Sequence, residues 1–263
     1  MEIEIKNYPD GSSYAKVNRL YEFTFRINSY EDLWHLNQVV DAQNSLGIKP
    51  TVHIPNLIDA QADKRFNKGE SSGLKLVCKF LNSMDAHFKV FHPHNPEIVE
   101  ALLNSVEIVD NSRFIRGVLQ NIDQENLILM ASDAGGFKPL IKLCDKIEWK
   151  GKTSSASKSR SYVDNKSNLL QRVDRDDFQG KDILIVDDIC VYGGTFKGLS
   201  KMLKERNCGK LFLAVSHMTV QELGQDPVTD YFDKVFTTNS KFDNYYGRDD
   251  FECKNLNVIN FKN

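Results

Sequence analysis

Apolar positions along the chain alternate between two periods. Short runs rich in β-branched residues read as strands, and apolar residues spaced by three and four read as helix faces. The opening stretch alternates in part (Met1, Ile3, Ile5; Tyr21, Phe23, Phe25, Ile27) around Tyr8-Pro9-Asp10-Gly11-Ser12, which predicts short strands about a hairpin turn. Ser29-x-x-Asp32 is a capping box and opens a helix with Leu33, Leu36 and Val40 inward, ending near Gly47. A strand over 51–54, a helix over 72–83 (Leu74, Val77, Leu81), a strand over 88–91 and a helix from about Pro96 follow. Around residue 110 the pattern begins again, which places a boundary between domains 1–109 and 110–263.

In the second half, a buried strand over 127–131 leads into a helix with Leu140, Ile141 and Cys144 inward and Pro139 in its first turn. Residues 150–180 are rich in Ser, Lys and Asn, lack an apolar period and read as a mobile loop. Residues 183–195 read ILIVDDICVYGGT: a continuous apolar run, as in a strand buried on both faces, ended by Asp187 and Asp188. A glycine-bearing turn follows, and Thr195 opens a helix with Phe196, Leu199 and Leu203 at helical spacing, closed by Asn207 and Gly209. A strand over 211–215 ends in Ser216-His217-Met218, a substrate rim by position, and the last strands fall at 235–238 and 256–261.

Composition narrows the class. With 263 residues, 41% hydrophobic and 27% charged, the chain suits a soluble protein with a proper core. A net charge of −2 gives no nucleic-acid footprint, and no apolar run is long enough to span a membrane. The start, Met1-Glu2-Ile3-Glu4, is acidic and lacks the apolar stretch of a signal peptide. Five scattered cysteines (Cys78, Cys144, Cys190, Cys208, Cys253) form no CxxC pair and read as reduced thiols of a cytoplasmic protein.

The chemistry gathers at 183–195. Glycines at 193 and 194 let backbone N–H groups approach a phosphate, and a helix N-terminus carries partial positive charge. The two acids can accept hydrogen bonds from ribose hydroxyls or bind Mg²⁺. The unit suits a sugar phosphate at the C-terminal end of a parallel strand. Gly151-Lys152-Thr153 looks like the end of a Walker A loop, but Lys146 stands where its first glycine belongs, which excludes it. His92-Pro93-His94 is a metal site or an exposed turn, and with no third ligand nearby the spacing favours the turn.

Residues 183–195 resemble the ribose-phosphate motif of type I phosphoribosyltransferases and of the phosphoribosyl-pyrophosphate (PRPP) synthetase, or ribose-phosphate pyrophosphokinase, family. Further matches occur in the family's order, from residue 8 to about 262. Tyr8, Asp10 and Gly11 match an aromatic-x-Asp-Gly-Glu loop that lends adenine contacts to a neighbouring subunit, with Ser12 in place of the glutamate. Asp63, Lys64 and Arg65 match an Arg-Gln-Asp-Arg-Arg sequence that grips ATP, with Gln61 and Ala62 replacing its first two residues. His94 matches a histidine that helps hold the Mg²⁺ of MgATP, while His92 stands where the family has aspartate. Asp133, Gly135 and Gly136 match Pro-Asp-x-Gly-Gly, whose aspartate lies near metal and ribose, with Ser132 in place of the proline. Lys158 and Arg160 match the outer cations of a Lys-Arg-Arg flexible loop that closes over the transferred diphosphoryl group.

The resemblance implies an α/β fold of two phosphoribosyltransferase-like αβα domains with mainly parallel sheets. The first domain would carry the ATP side, the second the ribose-phosphate motif and the catalytic loop, and the protein would be a homo-oligomer. It implies a diphosphokinase that takes ATP with Mg²⁺ and a 5-phosphorylated ribose, with ribose 5-phosphate as the family default acceptor. The family's opening strand and helix and its terminal helix have no counterpart in the sequence, so its hexamer and allosteric phosphate/ADP site are not carried over. The family's turn reads Asp-Thr-Gly/Ala-Gly-Thr; here it reads Val191-Tyr192-Gly193-Gly194-Thr195. Tyr192 either packs against the protein or stacks on a base beyond the phosphate. The latter points to ADP-ribose, the acceptor of synthetase-like proteins in phage NAD salvage. Two other classes share parts of the pattern: a phosphoribosyltransferase that consumes PRPP, and a non-catalytic partner that regulates a synthetase.

Overall fold

The amino terminus of the computed structural model is a hairpin. Strands β1 (Ile3–Asn7) and β2 (Ser13–Val17) pair antiparallel, with Ile3 opposite Val17 and Asn7 opposite Ser13. Gly11 turns the chain at φ +86°, a left-handed conformation that glycine adopts without steric cost. The structure describes residues 3–163, 166–219, 226–242 and 255–260, with the side chains of residues 158–171 outside that description; Cys253 falls outside it too. The chain divides into two units, Met1–Asp110 and Asn111–Asn263.

In the first unit, β3 (Glu22–Thr24), α1 (Tyr30–Ser45), β4 (Thr51–Ile54), α2 (Gly73–Leu81), β5 (His87–Phe91), α3 (Pro96–Leu102) and β6 (Val106–Val109) alternate along the chain. The strands form a parallel sheet in the order β3-β4-β5-β6. The capping box predicted for α1 is formed: the Ser29 hydroxyl accepts the Asp32 amide at 3.1 Å, and the Asp32 carboxylate accepts the Ser29 amide at 2.8 Å. Asn95 caps α3 by accepting from the Ile98 amide at 3.3 Å, and Pro96 follows at the first helical position, where no N–H is needed. Leu36 of α1, Leu74 and Leu81 of α2 and Val99 of α3 meet Val52, Ile54, Phe88 and Val90 of the sheet in one core, to which β1 and β2 add Ile5 and Val17.

The second unit contains α4 (Ser112–Leu119), β7 (Leu127–Ala131), α5 (Ala134–Ile147), β8 (Lys152–Val163), β9 (Lys166–Val173), β10 (Asp182–Cys190), α6 (Gly194–Glu205), β11 (Leu211–Met218), a 3₁₀ turn (Val228–Tyr231), β12 (Lys234–Thr238) and β13 (Leu256–Ile259). Its seven strands lie in the order β13-β12-β11-β10-β7-β8-β9, parallel except where β9 returns against β8. Successive residues of β10 point to opposite faces. Ile183 and Ile185 join Phe196, Leu199 and Leu203 of α6; Leu184 and Val186 join Leu140 and Leu143 of α5 and Ile115 and Val118 of α4. Burial on both faces is why this strand reads as an unbroken apolar run. The fold is therefore α/β with mainly parallel sheets.

Several local expectations are corrected. β10 does not end at the acids but runs on to Cys190, because β11 keeps pairing with it through Cys190 opposite Met218. The stretch read as a loop holds β8 and β9, an antiparallel hairpin with Ala156 opposite Val173. Its ladder is made by backbone groups, so it needs no apolar period. Pro139 is not in the first turn of α5, which already begins at Ala134; it lies further in, where, having no N–H, it makes no helical bond back to the Gly135 carbonyl. Ile141 is exposed, and Leu143 takes the inward place beside Leu140 and Cys144. Cys78, Cys144 and Cys190 are buried and Cys208 partly so, all as free thiols. Among the described residues no helix is long and apolar enough to cross a membrane.

Candidate active site

The order of strands in the second unit places a crevice. From β7 the chain moves through α5 to β8 on one side of the sheet; from β10 it moves through α6 to β11, β12 and β13 on the other. The two helices accordingly belong to different core clusters, on opposite faces. The order reverses between β7 and β10, and in open α/β sheets ligands bind at such a reversal, beyond the carboxyl ends of the strands. Ser132 and Asp133 stand at that end of β7; Asp187 and Asp188 stand at that end of β10.

The two carboxylates are held differently. β7 and β10 stay in register up to Ala131 opposite Val186. The next residues meet through side chains: the Ser132 hydroxyl donates to Asp187 Oδ2. Asp187 Oδ1 accepts the amide of Asp188 at 2.9 Å. Burial, and after it the neighbouring Asp188, push the Asp187 carboxyl up to about 7. Asp133 is the N-cap of α5, its Oδ1 accepting the Gly136 amide at 3.0 Å.

After β10 the chain turns through the glycines. Gly193 is the N-cap of α6 and sits at φ +74°, and a β-carbon there would lie 2.6 Å from Val228 Cβ. Both facts require glycine. A β-carbon on Gly194 would meet nothing within 4 Å, so the side of the helix start is open. Thr195 lies in the first turn of α6, at the positive end of the helix dipole. An anion there would meet amides that have no acceptor within a helix. Tyr192 is 88% exposed, which removes the reading in which it packs against the protein. Cys190 is buried and its thiol is pushed up to about 12, chiefly by burial, so it is inert.

In the first unit the nucleotide-type residues fall into two groups. Tyr8 and Asp10 lie on the β1–β2 turn, where Asp10 Oδ1 accepts both the amide and the hydroxyl of Ser12 at 3.0 and 2.7 Å. That binding by Ser12, which replaces the glutamate of the resembling motif, holds the Asp10 carboxyl below the usual range. Gln61, Asp63, Lys64 and Arg65 lie on the loop between β4 and α2, and His94 on the loop after β5. These two loops meet, for Asn95 Nδ2 donates to Asp63 Oδ2 at 3.5 Å. The loop is stiffened near its middle by Glu70, whose backbone carbonyl takes Arg65 Nε at 2.8 Å and whose carboxylate takes the amides of Phe66 and Asn67. Lys158 and Arg160 lie on β8, opposite Gln171 and Leu169, with side chains outside the described residues.

Ser216, His217 and Met218, expected as a rim, are buried instead. His217 Nδ1 is 2.8 Å from Ser240 Oγ, and both Ser240 and Thr238 donate their hydroxyls to the carbonyl of Ser216. β10 pairs with this strand end through Met218, and Thr238 and Ser240, beyond the last β11–β12 pair at Val215, close its other side. Ser132 and Val228 are site residues that pattern alone does not single out. The sequence marks Ser132 only by its position directly after a buried strand and by its standing where the resembling motif has proline.

Among the described residues no three His, Cys, Asp or Glu side chains cluster as a metal cage. Mg²⁺ differs from caged metals: it keeps waters and substrate phosphates and takes one or two carboxylate oxygens. Asp133 is a donor of that kind, whereas the imidazole of His94 suits a softer ion better. Of the two, Asp133 therefore fits a Mg²⁺ that arrives with a nucleotide.

A reversal point with paired acids on one strand and a left-handed glycine opening the next helix defines a class of α/β proteins built to hold a phosphorylated sugar. Comparison with known proteins sharpens it. The model of the phosphoribosyl transferase domain family matches residues 99–255, and the chain belongs to that family. A ribose-phosphate pyrophosphokinase of Pyrococcus abyssi is 26% identical over 246 residues, covering 91% of this chain and 84% of that protein. One from Thermococcus kodakarensis is 24% identical over 246 residues, 91% of this chain and 86% of that protein. Phosphoribosylpyrophosphate synthetase from Mycobacterium smegmatis shares the fold, with a TM-score of 0.80 at 18% identity over 98% of this chain and 85% of that one.

Proposed function

We propose that this protein is an ATP-dependent diphosphokinase that moves the β,γ-diphosphoryl group of MgATP to the 1-hydroxyl of ribose 5-phosphate, yielding PRPP and AMP. The observation that carries the reading is the placement of Asp187, Asp188 and the Gly193–Gly194–Thr195 turn at the reversal point of the sheet. The likeness to ribose-phosphate pyrophosphokinases over 91% of the chain supports the reaction type.

In this reading Asp187 and Asp188 orient the ribose hydroxyls, and Gly193, Gly194 and Thr195 cradle the 5-phosphate. Tyr8, Asp10, Gln61, Asp63, Lys64 and Arg65 hold ATP, with the hairpin serving a neighbouring copy in a homo-oligomer. Asp133, with His94 as the resemblance implies, would hold Mg²⁺, which would supply charge neutralisation on the phosphates. The anomeric oxygen attacks the β-phosphorus, the bond to the α-phosphate oxygen breaks, and AMP leaves. Lys158 and Arg160 neutralise the migrating group, so the protein's contribution is positioning and charge stabilisation. Free buried thiols suit a reducing, cytoplasmic setting.

ADP-ribose is the second acceptor, favoured by the 88% exposure of Tyr192 next to the phosphate cradle. An aromatic face so placed can stack a base attached beyond the 5-phosphate. The product would be ADP-ribose 1-pyrophosphate, a compound of NAD salvage. Incubation with MgATP and each sugar in turn, with AMP followed by chromatography and the new diphosphate by phosphorus NMR, tests the proposal. AMP with ribose 5-phosphate supports it, and AMP with ADP-ribose alone selects the second acceptor. Absence of AMP with both sugars overturns the kinase reading in favour of a regulatory partner or a PRPP-consuming transferase.

A further inference from the structure

We propose that Ser132 is a positioning residue for sugar recognition: from the end of β7 its hydroxyl reaches across the fork between β7 and β10 and fixes the carboxylate of Asp187. The inference rests on the reading of this crevice as a ribose-phosphate site. Pairing of the two strands stops at Ala131 opposite Val186, so Ser132 and Asp187 are the first residues past the last rung. Ser132 is 1% exposed, and its hydroxyl donates to Asp187 Oδ2. Oδ1 is already engaged by the Asp188 amide at 2.9 Å. Each oxygen of the ionised carboxylate has two lone pairs, so these two bonds leave acceptor capacity for a ligand hydroxyl. The bonds already made decide where that capacity points. Without Ser132 the carboxyl group loses its tether on Oδ2 and can rotate away from the pentose. A proline, the residue at this point of the resembling motif, carries no hydroxyl, so this bond is a property of the present chain.

The test compares the parent, Ser132→Ala, Asp187→Asn and the double variant. Binding of ribose 5-phosphate, 2-deoxyribose 5-phosphate and 3-deoxyribose 5-phosphate is measured by calorimetry, and AMP release by steady-state kinetics. Ser132→Ala should weaken ribose 5-phosphate roughly 10-fold, the scale of one hydrogen bond to a charged group, and leave the KM for MgATP unchanged. Whichever deoxy sugar lacks the hydroxyl read by Asp187 should bind the variant as it binds the parent. The double variant should lose no more than Asp187→Asn alone. Equal losses for all three sugars, additive losses in the double variant, or unchanged ribose 5-phosphate affinity would each overturn the positioning role while leaving the sugar site standing. Failure of the parent to bind any of the sugars would instead remove the ribose-phosphate reading, and this role with it.

Discussion

Gly193 lies against Val228 so closely that a β-carbon on the glycine would fall 2.6 Å from Val228 Cβ. The turn that precedes α6 is therefore fixed from outside by the 3₁₀ segment Val228–Tyr231 and from within by the left-handed backbone of Gly193, at φ +74°. Gly193→Ala meets both obstacles. It should lower stability by about 2 kcal/mol or more and raise the KM for the sugar phosphate. Gly194→Ala, which meets no neighbour, should leave the Tm near that of the parent and affect sugar-phosphate binding alone. Chemical denaturation and calorimetry separate the two; equal destabilisation would contradict the packing.

The buried acid makes stability depend on pH. Asp187 is pushed up to about 7 in the folded protein, first by burial and then by Asp188, from an ordinary value of 3.8. The folded state thus keeps a proton that the unfolded state has already released. Its contribution to stability is complete below about pH 4 and is lost as pH rises through about 7. Asp187→Asn, which carries no titratable group, should flatten the fall in Tm between about pH 4 and about pH 7. An unchanged slope would contradict the raised value.

Lys158 belongs to the β8 strand of the hairpin, with its backbone opposite Gln171. Lys158→Ala leaves that backbone ladder in place. It should cut turnover about 100-fold or more, the scale of removing one transition-state charge partner, with no change in Tm. Parallel activity assays and thermal melts check it; a normal rate would remove the lysine from the chemistry.

Tyr192 makes little contact with the protein, being 88% exposed, so Tyr192→Thr should change stability by less than about 0.5 kcal/mol. If the ring stacks a base, the substitution weakens ADP-ribose and spares ribose 5-phosphate. Competition of the two sugars for one protein sample gives the ratio directly, and an unaltered ratio would dismiss the stacking.

Much of this architecture is legible in the residues because its causes are local. The box Ser29–Asp32, the cap Asn95 with Pro96, and the glycine stop at Gly11 each act within a few residues of themselves. The paired acids and glycines of 183–195 are likewise one continuous segment. What the sequence hides depends on partners far along the chain. β10 outlasts its apolar run because β11, some 28 residues on, continues to pair with it. The hairpin of β8 and β9 is satisfied by its own backbone ladder, which needs no apolar period in the sequence. His217 looks like a rim residue until β12 and Ser240 close over it. Ser132 gains meaning only when Asp187, 55 residues later, arrives beside it.

The two carboxylates and the glycine bend occupy a single uninterrupted stretch of backbone, anchored at one end in the sheet and at the other in α6. In the proposed reading, the span between the groups that take the ring of the sugar and those that take its tail is thus a covalent gauge, built into the backbone itself.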